Sequence, residues 1–197
     1  MKILIVSGFL GAGKTTFIKR LARNVDQRFA ILENEYGAAG IDGARLGQNR
    51  QGTQKNVWEM TEQCICCIGK KDFAASVLTI ANVVDPEYLI VEPTGVGSLA
   101  RIIENLRQIE YERIQLLSPV TIVDVYSYRR YMAEYPELYQ DQIRSADTII
   151  VSKTEACQAE EKQRIQKFLQ EINSQAKIIT DYASTMTRED YQSLLLG

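Results

Sequence analysis

The stretch Gly8-Phe9-Leu10-Gly11-Ala12-Gly13-Lys14-Thr15 constrains this chain more than any other. It spells glycine, four residues, Gly-Lys-Thr, the pattern of a loop that wraps a phosphate. The apolar run 3–6 precedes it and an amphipathic segment follows, so the loop joins a strand to a helix. Glycines let successive backbone N–H groups turn towards an anion, and the new helix adds the positive end of its dipole. Lys14 is placed to reach the β- and γ-phosphates, and the Thr15 hydroxyl to ligate Mg²⁺. Gly11, Ala12, Gly13, Lys14, Thr15 and Thr16 are the expected phosphate-binding residues.

Short apolar runs recur at 3–6, 29–32, 89–91, 120–125 (interrupted by Asp124), 149–151 and 178–179. They are near-continuous and rich in Ile and Val, which suits parallel strands buried on both faces. Helical stripes lie between most of them, such as Phe17, Ile18, Leu21, Ala22 and Val25, or Ile165, Phe168, Leu169 and Ile172. The alternation predicts an α/β fold, a doubly wound, mostly parallel sheet flanked by helices. Neither an internal repeat nor a Pro/Gly-rich linker breaks the chain, so residues 1–197 are expected to form one domain. Polar or glycine-bearing clusters follow most of the runs. They include 33–42, Glu92-Pro93-Thr94-Gly95, Ser152-Lys153-Thr154-Glu155 and Thr180-Asp181-Tyr182-Ala183-Ser184. Ligands of open parallel sheets bind outside the carboxyl ends of the strands, so these clusters predict one shared site.

Net charge is −2, with no clustered Lys/Arg stripe, so nucleic acid is not an expected partner. No segment approaches the roughly 18 apolar residues of a membrane span. The four-residue N-terminal run leads straight into the loop, so no signal peptide is expected. The chain has four cysteines and no histidine, and Cys64, Cys66 and Cys67 fall within four positions. Such close neighbours do not make a disulfide framework. A reducing cytoplasm is the expected location, and there the trio reads as a metal site, a thiol switch or small buried hydrophobes. Without histidine, a metal must be held by thiolates, carboxylates, backbone or water.

Several motifs together resemble one known family. Gly-Phe-Leu-Gly-Ala-Gly-Lys-Thr-Thr at 8–16, Asn34-Glu35-Tyr36-Gly37 with Gly40-Ile41-Asp42, and Cys64-Ile65-Cys66-Cys67 are similar to the CobW-type proteins, relatives of HypB and UreG. Glu92-Pro93-Thr94-Gly95 resembles that family's Glu-Thr-Thr-Gly. The resemblance covers about residues 1–185 by motif order. It implies a P-loop NTPase fold and a GTPase tied to metal delivery or to assembly of metal-containing enzymes. The C-terminal domain common among CobW proteins is not expected in this chain. Gln63 and Ile68 depart from the family's glycine and threonine beside the cysteines.

Each cluster then takes a role. Glu92 ends a strand, where an acid reaches the Mg²⁺ water shell opposite Thr15, and Gly95 lets a backbone N–H approach the γ-phosphate. In 34–42, Asp42 is the candidate for contacting Mg²⁺ or orienting the attacking water, and Glu35 for turning towards a second metal. Cys64, Cys66 and Cys67 would bind Zn²⁺ or another thiophilic ion. They follow Val57-Trp58-Glu59-Met60, an expected edge strand. Ser152-Lys153-Thr154-Glu155 occupies the place of the guanine-reading Asn-Lys-x-Asp. Glu155 would accept from the guanine N1 and N2 groups, Lys153 lie along the base, and Ser152 stand in for the bracing asparagine. GTP is expected over ATP. Ala183 and Ser184 are candidates to offer backbone groups to the base. Five tyrosines at 126, 128, 131, 135 and 139 read either as a docking surface or as amphipathic packing.

The expected function is a GTPase that couples nucleotide state to metal handling, serving a client metalloprotein or apo-enzyme, with a homodimer among the expected forms. Turnover is expected to be slow, since no arginine finger is assignable. Two other readings stand beside it. One is a nucleotide-switched module that gates cofactor loading of a metalloenzyme without carrying metal. The other is a small-molecule kinase.

Overall fold

The structure, a computed structural model, describes residues 1–27, 29–33, 57–61 and 70–196. Strands β1 (Lys2–Gly8), β2 (Phe29–Glu33), β3 (Val57–Thr61), β4 (Tyr88–Glu92), β6 (Val120–Asp124), β7 (Thr148–Ser152) and β8 (Lys177–Ile179) lie side by side in the order β3-β2-β4-β1-β6-β7-β8. A two-residue strand, β5 (Gln115–Leu116), pairs with the start of β1. Every strand pairing is parallel. Each apolar run read from the sequence is a strand. The Val57 segment, β3, is an edge among the described residues. β5 is too short to carry a periodic signal.

The helices cover both faces, as parallel strands require. Period-two alternation divides β1. Leu4 and Val6 pack with Phe17, Ile18 and Leu21 of α1 (Lys14–Asn24) on one face. α7 (Tyr182–Thr185) and α8 (Arg188–Ser193) lie on that same face through Tyr182 and Tyr191. Ile3 and Ile5 pack with α2 (Lys70–Val83) and α3 (Leu99–Arg107) on the other. A third cluster joins Val123 and Val151 to Tyr139 and Ile143 of α5 (Pro136–Arg144) and Ile165 and Leu169 of α6 (Ala159–Ile172). Helix α4 (Tyr128–Glu134) runs into α5 at Pro136, a residue suited to a helix start. No described helix is long and apolar enough to cross a membrane.

This order sets the site. β1 lies between β4 and β6, with chain direction shared by all three. Their carboxyl ends therefore deliver the loop after Gly8, the carboxylate of Glu92, Asp124 and, one strand further, Ser152 to one rim.

Candidate nucleotide site

The phosphate loop has the geometry that its glycines predict. Gly13 caps α1 in the left-handed region, at φ 100°, where a side chain is strained. The helix opens with no side-chain cap and no acid in its first turn, which keeps its N–H groups available to an anion. Lys14 is buried, and its Nζ donates to the Phe9 carbonyl at 3.4 Å, folded back across the loop it serves. Burial lowers the Lys14 ammonium below the ordinary lysine value, and the nearby Glu92 carboxylate opposes that shift.

Thr15 and Glu92 meet across the rim. Thr15 Oγ1 donates to Glu92 Oε1 at 2.9 Å and lies 3.2 Å from Oε2. A hydroxyl and a carboxylate this close form a hard-oxygen pair, the donor chemistry that Mg²⁺ prefers. Thr16 is exposed beside them. Gly95 is buried directly under the loop. A Cβ there would run into Leu10 N and lie 2.9 Å from Phe9 C. The glycine after Glu92 is thus needed for backbone-on-backbone packing beneath the phosphate loop.

The segment 152–155 is anchored to the same loop. Ser152 Oγ donates to the Ala12 carbonyl at 2.6 Å, so the serine keeps the bracing contact expected of an asparagine. Lys153 adopts φ 61°, and its Nζ donates to Asp124 Oδ2 at 2.7 Å. Glu155 is exposed, close enough to Tyr182 to raise its phenol, with burial the larger cause. Asp181 faces this segment from the end of β8. Hydrogen bonds from Lys162, at 2.6 Å, and from Thr154 hold its carboxyl below the usual range. The Ala183 carbonyl accepts from Arg20 at 3.2 Å, and the Ser184 N–H donates to the Asp181 carbonyl at 2.9 Å.

Two features of the site escape sequence reasoning. Asp124 reads in the sequence as an interruption of an apolar run, yet it ends β6 beside the loop, as Glu92 ends β4. An acid at the carboxyl end of a buried strand was the available signal. The tyrosines are the second. Phe9 of the loop lies among Tyr131, Tyr135 and Tyr139, with ring centroids 4.6, 5.8 and 5.0 Å away. Tyr131 Oη also donates to the Leu10 carbonyl at 2.9 Å. Tyr128 is buried against Phe168, and Tyr126 and Tyr135 are exposed. Asp42, Glu35, Cys64, Cys66 and Cys67 lie outside the described residues.

The chain is 30% identical over 178 residues to the zinc chaperone YeiR of Escherichia coli, covering 89% of this chain and 53% of YeiR. It is 27% identical over 209 residues to the zinc chaperone CobW of Pseudomonas aeruginosa, covering 91% and 56%. The chain thus spans about half the length of the curated relatives it matches. The solved structure of Zn(II)-bound YjiA GTPase from E. coli superposes with a TM-score of 0.69 at 22% identity, over 95% of this chain and 58% of that one, and shows the shared fold. The model of the CobW/HypB/UreG nucleotide-binding domain matches residues 2–180, and the chain belongs to that family.

Proposed function

We propose that this chain binds GTP with Mg²⁺, hydrolyses it, and uses the nucleotide state to govern a zinc ion held by Cys64, Cys66 and Cys67 for a client metalloprotein. The observation that carries the nucleotide half is the Thr15–Glu92 pair at 2.9 Å beside the buried Lys14. Thr15 and Glu92 would hold Mg²⁺, which would supply positive charge to offset that of the phosphates. The protein's own groups do the rest. Lys14 binds the phosphates, the uncapped start of α1 orients them, and Gly95 and Ser152 keep the loop in shape from two sides. Lys153 and Glu155 read the base from an exposed segment, and Asp42 orients the attacking water.

The zinc half rests on thiolate chemistry and on relatives that are named zinc chaperones. Zinc is cargo in this reading. The test measures phosphate release from GTP and ATP, and zinc affinity in the native chain and in a Cys66→Ala/Cys67→Ala variant. Mg²⁺-dependent hydrolysis with GTP preferred, and zinc affinity lost in the double variant, are the expected results. Unchanged zinc affinity in the variant would overturn the zinc half. Phosphate transfer to a small metabolite in place of water would overturn the hydrolase half.

A further inference from the structure

The loop between β4 and α3 is held from outside the site. Gln142, on α5, is 1% exposed. Its Nε2 donates to the Gly95 carbonyl at 3.1 Å and to the Gly97 carbonyl at 3.0 Å. Two carbonyl acceptors decide which end of the amide faces the loop. Turned about, Oε1 would confront both of them, acceptor against acceptor. In the arrangement that remains, Oε1 is buried with no donor among the described residues. A buried acceptor left unpaired is costly, so the two bonds made by Nε2 are what hold the amide this way round.

The neighbouring residues make the same connection. Thr121 Oγ1, on β6, donates to the Gln142 carbonyl at 2.9 Å and fixes its backbone. Asp141 Oδ2 accepts from Leu99 N at 2.7 Å and holds the first turn of α3. Tyr139 packs edge-on against Phe9 of the phosphate loop. One turn of α5 therefore grips both backbone segments that meet at Gly95. A movement of the 94–97 loop is felt at once at Leu10, because Gly95 has no free space towards it.

We propose that Gln142 is a positioning residue of the triphosphate site. It touches no phosphate itself. In a trans peptide the C=O and the following N–H point opposite ways. Holding the Gly95 carbonyl on Gln142 therefore turns the Val96 N–H away from α5. The 94–97 loop that Gln142 holds follows Glu92 and packs under the phosphate loop, so the groups it positions are those offered to the terminal phosphate. A diphosphate lacks that phosphate, so diphosphate binding is independent of the residue.

This proposal rests on the nucleotide reading above. The test compares the native chain with Gln142→Leu, Gln142→Asn and Gln142→Glu, measuring affinity for GDP, affinity for a non-hydrolysable GTP analogue with Mg²⁺, and phosphate release. Gln142→Leu is expected to keep GDP affinity within about twofold and to lose about tenfold in analogue affinity and in phosphate release, the scale of one buried hydrogen bond. Gln142→Asn keeps the amide but is one methylene short, and loses less. Gln142→Glu sets a buried carboxyl against two carbonyls, which favours its protonated form, so it keeps one donor and loses less than Gln142→Leu. Its loss grows relative to the native chain as pH rises and the carboxyl ionises. Should Gln142→Leu not fold, judged by absent GDP binding, Gln142→Asn decides by the same comparison. Analogue affinity and phosphate release equal to the native chain in a variant that binds GDP would overturn the proposal. So would equal weakening of both nucleotides with no pH dependence in Gln142→Glu beyond that of the native chain. A native chain that binds neither nucleotide overturns the nucleotide reading itself, and this proposal with it.

Discussion

The phosphate side and the base side of this site are built differently. On the phosphate side the groups are already engaged with one another, Lys14 and Glu92 buried and Thr15 exposed. Lys14 lies over the Phe9 carbonyl, and Glu92 meets Thr15. Gly95 is wedged under Leu10. On the proposed base side the buried residues, Ser152 and Thr154, anchor the segment, Lys153 is exposed but paired with Asp124, and Glu155 stands exposed. Preorganised groups bind with less reorganisation, whereas exposed long side chains adjust to what arrives. In the proposed reading, affinity comes from the triphosphate and base choice from Glu155, an exposed acid a methylene longer than the usual aspartate.

Substitutions break this comparison in a definite order. Lys14→Ala has the largest effect. It removes charge-assisted hydrogen bonds of about 1.5–3 kcal/mol each, so GTP and ATP should both weaken by roughly 100-fold in equilibrium titration. Gly95→Ala comes next, through packing. Forcing a methyl into the Leu10 backbone should cost about 1–3 kcal/mol, seen as a melting temperature lowered by roughly 2–10 °C. Glu155→Ala should leave ADP affinity unchanged and reduce the preference for GDP over ADP by about tenfold. Equal loss of both diphosphates would show that Glu155 supports the fold and does not read the base.

Two smaller effects sharpen the picture. Tyr131→Phe keeps the ring on Phe9 and removes the hydrogen bond to Leu10, worth about 0.5–1.5 kcal/mol of stability in denaturant unfolding. The pH dependence follows from Lys14. Burial lowers its ammonium in the free protein, and a bound phosphate raises it again by favouring the charged form. Triphosphate affinity is therefore full below the lowered value and declines as pH rises through it, sooner than for an ordinary lysine. Calorimetry in buffers of different ionisation enthalpy should show proton uptake on binding at alkaline pH, absent in Lys14→Ala.

What was legible in the sequence was what depends on neighbours along the chain. The phosphate loop, the six apolar runs and the α1 stripe are local patterns, and each became the element expected. Contacts between distant segments were not legible. Tyr131 and Leu10 are 121 positions apart, and Ser152 and Ala12 are 140 apart. The tyrosine run at 126–139 has the composition of a docking face, but three of its rings close round Phe9, a choice made by the sheet order. Asp124 was hidden for a related reason. Within an apolar run an acid reads as an exception, until the strand's end is known to lie at the site. Ser152 departs from asparagine in sequence, yet its short hydroxyl still reaches the loop, because β7 ends directly behind Ala12.

Zinc affinity, measured with a competing chromophoric chelator on the native chain saturated with GDP or with a non-hydrolysable GTP analogue, is the most direct test. The account predicts two affinities about tenfold or more apart, the difference vanishing in the Cys66→Ala/Cys67→Ala variant. A single zinc affinity, the same with either nucleotide bound, would contradict it.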